Sequence, residues 1–286
     1  MPRPSDAGLL LLALALAGCG GAAPPAPSAI PAPAETARER IAASTRHGEW
    51  VRIPAGGTDT VRAWVVYPER STRAPVVVVV HEVFGLTTWV RGVADQLAAD
   101  GFIAVAPDLL TGTPMAMAPD SLWSTMAAGG LDSAVAMISR LDRAEVLRRI
   151  EAAGRYGTGL PAAEDRWGVM GFCWGGSMTL ATAAHAGSLA AAVSFYGGVT
   201  RDEADLSGVR APTLALLAED DARVNLTMAY ADSSYRAAGT AYEQVTVPNA
   251  GHGFLRAQDG HGGGNLAASR EAWPRALAWL RRHLGR

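Results

Sequence analysis

One cysteine of the chain has the surroundings of a catalytic nucleophile. Cys173 lies in the segment GFCWGG, residues 171–176, which separates a short apolar run from a stretch of small residues that is typical of a closely packed helix. Glycines two positions before and after the cysteine permit the strained turn that holds a nucleophile between a strand and a helix. The positive end of that helix favours a thiolate and a developing oxyanion. The alternative is a free cysteine that packs as a small apolar residue, a role that does not require the flanking glycines.

A nucleophile on such a turn needs a base and an orienting acid, and the expected chain order is nucleophile, acid, histidine. His252 lies in NAGHGF, residues 249–254, directly after the last predicted strand, where sheets of this kind carry chemistry. We therefore predict that His252 is the base, and the alternative is a loop histidine that only caps the turn. Three adjacent carboxylates, Glu219, Asp220 and Asp221, follow the preceding strand, and periodicity alone does not choose among them.

The elements that must position these residues alternate between strand and helix. Apolar and β-branched runs predict strands at 61–67, 76–80, 102–106, 167–170, 191–196, 213–217 and 242–247. Helical spacing predicts helices at about 88–100, 131–153, 177–186, 224–238 and 266–284, of which the second is one long helix or two. This alternation predicts an α/β fold with a mostly parallel central sheet and helices on both faces.

The composition excludes several classes of protein. Of the 286 residues 49% are hydrophobic and 18% are charged, which excludes a disordered or highly charged chain. The net charge of −2 leaves no basic surplus to neutralise phosphates, so we expect no nucleic-acid partner. His81 and Glu82 could begin a zinc-binding His-Glu-x-x-His helix, but position 85 is glycine, so that interpretation fails. We expect neither a metal nor another cofactor.

The amino terminus predicts export and lipid anchoring. About ten apolar residues precede Cys19, which is the length of a signal-peptide core and short of the roughly 20 residues of a membrane-spanning helix. The segment LAGC, residues 16–19, resembles the bacterial lipobox, and the alternative is an ordinary secretory signal cleaved after a small residue. The resemblance implies a lipoprotein signal peptide at 1–18 and acylation of the Cys19 thiol. We expect a monomer held at the membrane by this anchor, on the periplasmic or extracellular face of the bacterial cell envelope.

The remainder of the chain divides into a linker and one domain. Residues 19–44 are rich in alanine and proline and contain almost no bulky apolar side chains. Such a segment cannot bury enough surface to offset the entropy cost of ordering, so we predict a tether there. Residues 45–286 are predicted to form the folded domain, which is long enough for one substantial core.

Four segments of the predicted domain together resemble the dienelactone hydrolase family of α/β-hydrolases. They are GFCWGG at 171–176, HEVFG at 81–85, PDL at 107–109 and GHGF at 251–254. The resemblance extends from about residue 50 to the end of the chain and implies an α/β-hydrolase fold. It also implies hydrolysis of a small-molecule ester, lactone or thioester. The family's Gly-x-x-Asp-x-x-Val acid motif is similar to residues 218–224, with alanine in place of the glycine, and this alignment selects Asp221.

The resemblance further implies how the reacting groups are arranged. Cys173, His252 and Asp221 are implied to form a catalytic triad that works through an acyl-thioester intermediate. The backbone N–H groups of Val83 and Trp174 are implied to form the oxyanion hole. The alternative from another functional class is a catalytically inactive envelope lipoprotein that has the hydrolase fold and binds a ligand. The joint presence of the cysteine, the aspartate, the histidine and Glu82 favours the hydrolase.

Two more charged residues receive a role from the resemblance. Glu82 is implied to contact the resting cysteine and to move when substrate binds, and the alternative is a charged residue at a strand end. Arg256, four residues after the predicted base, is implied to bind a substrate carboxylate. Family enzymes that act on dienelactone have a second arginine five residues after the proline of the Pro-Asp-Leu segment. Here that position, counted from Pro107, is Gly112, so one half of the carboxylate clamp is missing.

Overall fold

A computed structural model describes residues 29–113 and 131–285 of the chain. The predicted signal peptide and Cys19 lie outside these residues. Within the two described ranges, no helix has both the length and the apolar character needed to cross a bilayer.

The described residues form eight strands and eight α-helices. The strands are β1 (Gly48–Gly56), β2 (Asp59–Val66), β3 (Ala74–Val80), β4 (Ile103–Asp108), β5 (Ala163–Phe172), β6 (Leu189–Phe195), β7 (Thr213–Ala218) and β8 (Tyr242–Val247). The helices are α1 (Ala37–Ala42), α2 (Thr88–Ala99), α3 (Leu131–Ile138), α4 (Arg143–Thr158), α5 (Trp174–His185), α6 (Ala222–Asn225), α7 (Met228–Ala238) and α8 (Gly264–Leu284). A short 3₁₀ turn, His261–Gly263, precedes α8.

All eight strands belong to one sheet with the order β1-β2-β4-β3-β5-β6-β7-β8. The β1–β2 hairpin is antiparallel, and β2 pairs antiparallel with β4. Every pair from β4 to β8 is parallel, so that Val78 of β3 lies beside Val105 on one side and Val169 on the other. The predicted fold, a mostly parallel central sheet with helices on both faces, is confirmed.

The five consecutive valines of β3 explain why this strand lies at the centre of the sheet. Val77 and Val79 pack in the core beneath α2 and α8, whereas Val76, Val78 and Val80 pack in the core beneath α4 and α5. All five are fully buried. Full burial of a valine side chain stabilises the fold by roughly 1.5–3 kcal/mol, so this strand contributes to both cores.

The parallel strands bring the sequence-predicted residues to one edge of the sheet. β3, β5, β7 and β8 run in the same direction, and the loops that follow them contain Glu82, Cys173, Asp221 and His252 respectively. Because the carboxyl ends of parallel strands meet at one edge, residues up to 170 positions apart in sequence share one site there.

The helical region predicted at 131–153 is divided into α3 and α4. Residues 139–142 separate the two helices. The side chain of Asp142 caps α4, because it accepts a hydrogen bond from the backbone N–H of Glu145 at 3.1 Å. Arg143 is consequently the first residue of α4.

Strand β1 was not predicted from the sequence. Its side chains alternate between buried and exposed, with Ile53 and Ala55 in the core. Pro54 lies within the strand, and proline is unfavourable in the middle of a sheet because it cannot donate a ladder hydrogen bond. β1 is an edge strand of the sheet, where this deficit is tolerated.

Residues 29–44 differ from the predicted tether, because they pack against the domain. Ile30 and Ala37 are buried, and the backbone N–H of Ala34 donates to the carbonyl oxygen of Arg256 at 3.0 Å. The composition of the segment indicated too little apolar surface for folding on its own. Small side chains and backbone hydrogen bonds hold the segment on the domain, so the folded domain begins before residue 45.

Candidate active site

Cys173 lies on a strained turn between β5 and α5. Its backbone has φ 55° and ψ −119°, a conformation that residues other than glycine rarely adopt, and it occupies the position just before α5. A Cβ atom at Gly171 would lie 2.1 Å from the carbonyl oxygen of Gly175, and one at Gly175 would lie 2.3 Å from that of Val80. Side chains at these two positions would therefore force the turn apart, which is the physical reason for the two glycines.

His252 and Asp221 form a hydrogen-bonded pair beside this cysteine. The Nδ1 atom of His252 lies 2.5 Å from Oδ2 of Asp221, whose side chain is only 6% exposed. Asp221 also caps α6, because its Oδ1 accepts a hydrogen bond from the backbone N–H of Val224 at 3.4 Å. A second interaction fixes the carboxylate, so the imidazole is held in one orientation.

The environment changes the protonation of this pair. Burial disfavours the charged form of His252, but hydrogen bonds to Asp221 and Cys173 outweigh burial and raise the pKa of His252 to about 9. Burial acts in the opposite direction on Asp221, yet the hydrogen bond from His252 leaves the pKa of Asp221 below its ordinary value. At neutral pH the pair is therefore an imidazolium and a carboxylate, with a proton available next to the sulfur.

The structure distinguishes the three adjacent carboxylates that periodicity left open. The side chain of Glu219 accepts a hydrogen bond from the backbone N–H of Asn249 at 2.8 Å. Asp220 lies 3.3 Å from Nδ1 of His261 and is 56% exposed. Only Asp221 of the three contacts the predicted base.

Glu82 and Arg256, which the sequence assigned to separate roles, contact each other. Nε of Arg256 lies 2.8 Å from Oε2 of Glu82, and the Glu82 side chain is 4% exposed. Burial raises the pKa of Glu82, although the positive charge of Arg256 opposes that effect. Glu82 and Cys173 border the same cavity, and the resting partner of Glu82 in the structure is Arg256.

His81 has a structural role that sequence analysis missed. Its Nδ1 lies 2.6 Å from the carbonyl oxygen of Glu82, its Nε2 accepts a hydrogen bond from the backbone N–H of Leu109 at 3.1 Å, and its ring stacks on Trp174. Burial lowers the pKa of His81, so the ring is neutral and donates through one nitrogen while accepting through the other. The histidine thereby ties the loop after β3 to the loop after β4 and to the start of α5.

Tyr196, at the end of β6, is a second residue that the sequence did not single out. Its φ is 40°, its side chain is fully buried, and its ring lies edge-on to the imidazole of His252 with 5.2 Å between the ring centroids. Burial raises its pKa well above the ordinary value, so the phenol stays neutral. The sequence feature that could have indicated this tyrosine is an aromatic residue at the end of a predicted strand, followed directly by Gly197 and Gly198.

A cavity of about 740 Å³ opens over the sulfur of Cys173. His252, Val83 and Trp174 border it together with the cysteine. Trp174 is the first residue of α5, and the first amides of a helix have no acceptor within the helix. A carbonyl carbon placed at the sulfur could direct its oxygen to these amides. In the part of the chain that the structure describes, no group of three or more His, Cys, Asp or Glu side chains could hold a metal ion.

This chain is similar to known proteins over most of its length. The model of the dienelactone hydrolase family matches residues 61–284. A Salmonella typhi protein named "Putative carboxymethylenebutenolidase" is 30% identical over 247 residues, which cover 82% of this chain and 87% of the relative. A Bradyrhizobium protein named "Probable 2-oxo-3-(5-oxofuran-2-ylidene)propanoate lactonase" is 28% identical over 257 residues, which cover 85% of this chain and 98% of the relative.

A solved structure gives the same result. The crystal structure titled "Putative Dienelactone Hydrolase" from Klebsiella pneumoniae superposes with a TM-score of 0.70 at 25% sequence identity, covering 84% of this chain and all of the other. The family match spans most of the described domain, including all the strands and loops that form the site. The chain therefore belongs to the dienelactone hydrolase family of α/β-hydrolases.

Proposed function

We propose that this protein hydrolyses esters, lactones or thioesters of small molecules through a Cys173–His252–Asp221 triad and an acyl-thioester intermediate. One observation carries the proposal. An imidazole hydrogen-bonded to a buried carboxylate stands beside a thiol on a strained turn, and the thiol faces a cavity. Membership of a hydrolase family supports the same reaction class.

The proposed reaction has two halves. The imidazolium of His252 holds the proton given up by the Cys173 thiol, and the thiolate attacks the carbonyl carbon of the substrate. The imidazolium then gives its proton to the departing alcohol, enol or thiol, which leaves an acyl group on the sulfur. In the second half, His252 removes a proton from water, which attacks the thioester and releases the acid. Asp221 keeps the imidazole in the required tautomer throughout.

The oxyanion that forms in each half needs hydrogen-bond donors. Val83 and Trp174 border the cavity together with Cys173, and their backbone N–H groups are proposed for this role. A preorganised donor of this type lowers the barrier by roughly 2.7–4 kcal/mol. His81 supports both donors indirectly, because it contacts the Glu82 carbonyl on one side and the Trp174 ring on the other.

The sulfur nucleophile favours some substrates over others. A thiolate leaves a tetrahedral adduct more readily than an alkoxide does, so the adduct of a simple alkyl ester mostly expels the thiolate again and returns to substrate. An activated leaving group competes better with the thiolate, and the adduct then proceeds to the acyl-thioester. Activated esters, enol esters, lactones and thioesters are therefore the preferred substrates in this proposal.

The amino-terminal sequence supports a proposal about location. Acylation of Cys19 would hold the domain at a membrane of the bacterial envelope, with residues 20–28 between the lipid and the segment that packs on the domain. Metabolic labelling with a radioactive fatty acid tests this part separately. We expect label in the natural chain and none in Cys19→Ala.

The experiment for the catalytic proposal is a panel of esters, lactones and thioesters, assayed with the chain from residue 20 onward. This form lacks Cys19 and retains residues 29–44, which contact the domain. We expect hydrolysis of activated esters by the natural sequence and none above background by Cys173→Ala. Substitution of His185, which is 58% exposed and pairs with Glu151, is the control for His252→Ala. Equal activity in Cys173→Ala would refute the proposal.

A further inference from the structure

The amino-terminal segment, residues 29–44, supplies hydrogen-bond partners to the loop after β8. The backbone N–H of Ala34 donates to the carbonyl oxygen of Arg256 at 3.0 Å. The carbonyl oxygen of Pro31 accepts a hydrogen bond from Nε2 of Gln258 at 2.8 Å, and this glutamine is buried. The loop that the segment contacts in this way also carries the histidine of the proposed triad.

The other end of the segment contacts α2, the helix that follows the loop containing Glu82. Nη2 of Arg40 donates to Oε1 of Gln96 at 2.9 Å. The hydroxyl of Ser44 donates to Oδ1 of Asp95 at 2.6 Å. Both side chains on α2 are buried, and buried polar groups need hydrogen-bond partners. The segment therefore connects two parts of the domain that carry active-site residues, and it satisfies buried polar groups on both.

The segment also lines a second cavity, of about 320 Å³, that reaches the ion pair of the active site. Glu35 and Glu39 border this cavity together with Glu82 and Arg256. The latter two residues also border the cavity over the sulfur, so their ion pair lies between the two cavities. Detachment of the segment would expose the second cavity to water, and hydration weakens an ion pair.

The loop after β8 holds two positive charges near the sulfur. His252 and Arg256 both border the cavity over Cys173, and hydrogen bonds to Asp221 and Cys173 raise the pKa of His252 to about 9. Adjacent positive charge favours a thiolate over a thiol. Other ionisable side chains that line this cavity lie on other elements: Glu82, Arg143, Tyr196, Glu203 and Arg223. Displacement of the loop after β8 would therefore remove the two cations together.

We propose that residues 29–44 are a positioning segment of the active site. By tying the loop after β8 to α2 and by lining the second cavity, the segment holds His252 and Arg256 in place beside the sulfur. The inference rests on the proposed hydrolase function, because it concerns groups that the reaction uses. It assigns a role to a part of the chain that precedes the residues matched by the family model, 61–284.

The test is the pH dependence of iodoacetamide modification of Cys173 in the full chain, purified in detergent and digested to locate the label. Ala34→Pro removes the N–H that donates to Arg256. We expect this variant to be modified about threefold more slowly, or less, than the natural chain at about pH 6.5. At about pH 10, where a thiol ionises without help from nearby charge, the two rates should be equal.

A matched control makes the same substitution two residues away. The backbone N–H of Ala32 takes no part in the hydrogen bonds between described residues, so Ala32→Pro should keep the natural pH dependence. Arg40→Gln releases the other end of the segment and should act in the same direction as Ala34→Pro. Arg52, which is exposed on β1, provides the matching control Arg52→Gln.

The outcomes separate a positioning role from other effects. An unchanged ratio of the rates at low and high pH in both Ala34→Pro and Arg40→Gln would overturn the inference, even if thermal stability fell, because the segment would then be merely structural. Equal slowing at both pH values would also overturn it, since that result reports altered access to the sulfur. The labelling requires no turnover, so it tests the segment even if the natural chain hydrolyses none of the esters, which is the result that refutes the proposed function.

Discussion

The substitution Asp221→Asn tests whether the carboxylate keeps His252 charged in the folded protein. The pKa of His252 is about 9 in the structure, against an ordinary value of about 6.5. This difference corresponds to roughly 3 kcal/mol of preference for the imidazolium. Cys173 contributes part of it, so the share of Asp221 is about 1–2 kcal/mol.

The sign of the effect follows from the direction of the pKa change. A histidine whose folded pKa is raised stabilises the protein fully below its unfolded pKa, and that stability is lost as the pH rises through the folded pKa. The destabilisation caused by Asp221→Asn should therefore be greatest below about pH 6.5 and should decrease by about 1–2 kcal/mol by about pH 10.

The assay is urea unfolding over this pH range, followed by circular dichroism. Asp220→Asn is the matched control, because it removes an adjacent carboxylate that is 56% exposed and contacts His261 rather than His252. The two variants should diverge at low pH and converge at high pH. A pH-independent difference between the natural chain and Asp221→Asn would mean that His252 is neutral in both, contrary to a pKa of about 9.

Three further changes test other parts of the site. His252→Gln should slow iodoacetamide modification of Cys173 at neutral pH about tenfold or more, because it removes the adjacent positive charge, and His185→Gln should not. Gly175→Ala should destabilise the fold by about 1–3 kcal/mol in urea unfolding, because the new Cβ would lie 2.3 Å from the carbonyl oxygen of Val80. Arg256→Gln should cost about 3–5 kcal/mol by leaving Glu82 buried without its partner, and addition of Glu82→Gln should restore part of that loss; no restoration would contradict the buried ion pair.

The sequence predicted the features that depend on local pattern. The valine run of β3 and the glycine-flanked Cys173 each carry their signal within a few residues, and both elements form as predicted. The choice of Asp221 among three adjacent carboxylates needed the family motif, because hydrogen bonding to His252 depends on how two separate loops approach each other.

The features that the sequence did not predict depend on contacts across the fold. Glu82 and Arg256 are 174 positions apart, and the sequence around either residue does not indicate that the two side chains pair. Residues 29–44 contact the loop after β8, and composition alone, which indicated a tether, does not report a contact between such distant parts of the chain.

The proposed mechanism requires the sulfur of Cys173 to carry the acyl group during turnover. The most direct measurement is mass spectrometry of the intact protein, quenched in acid within the first turnover of an activated ester and then digested to locate the modification. We expect an added mass of one acyl group on the peptide that contains Cys173. An acyl group on any other residue, or steady hydrolysis by Cys173→Ala, would contradict it.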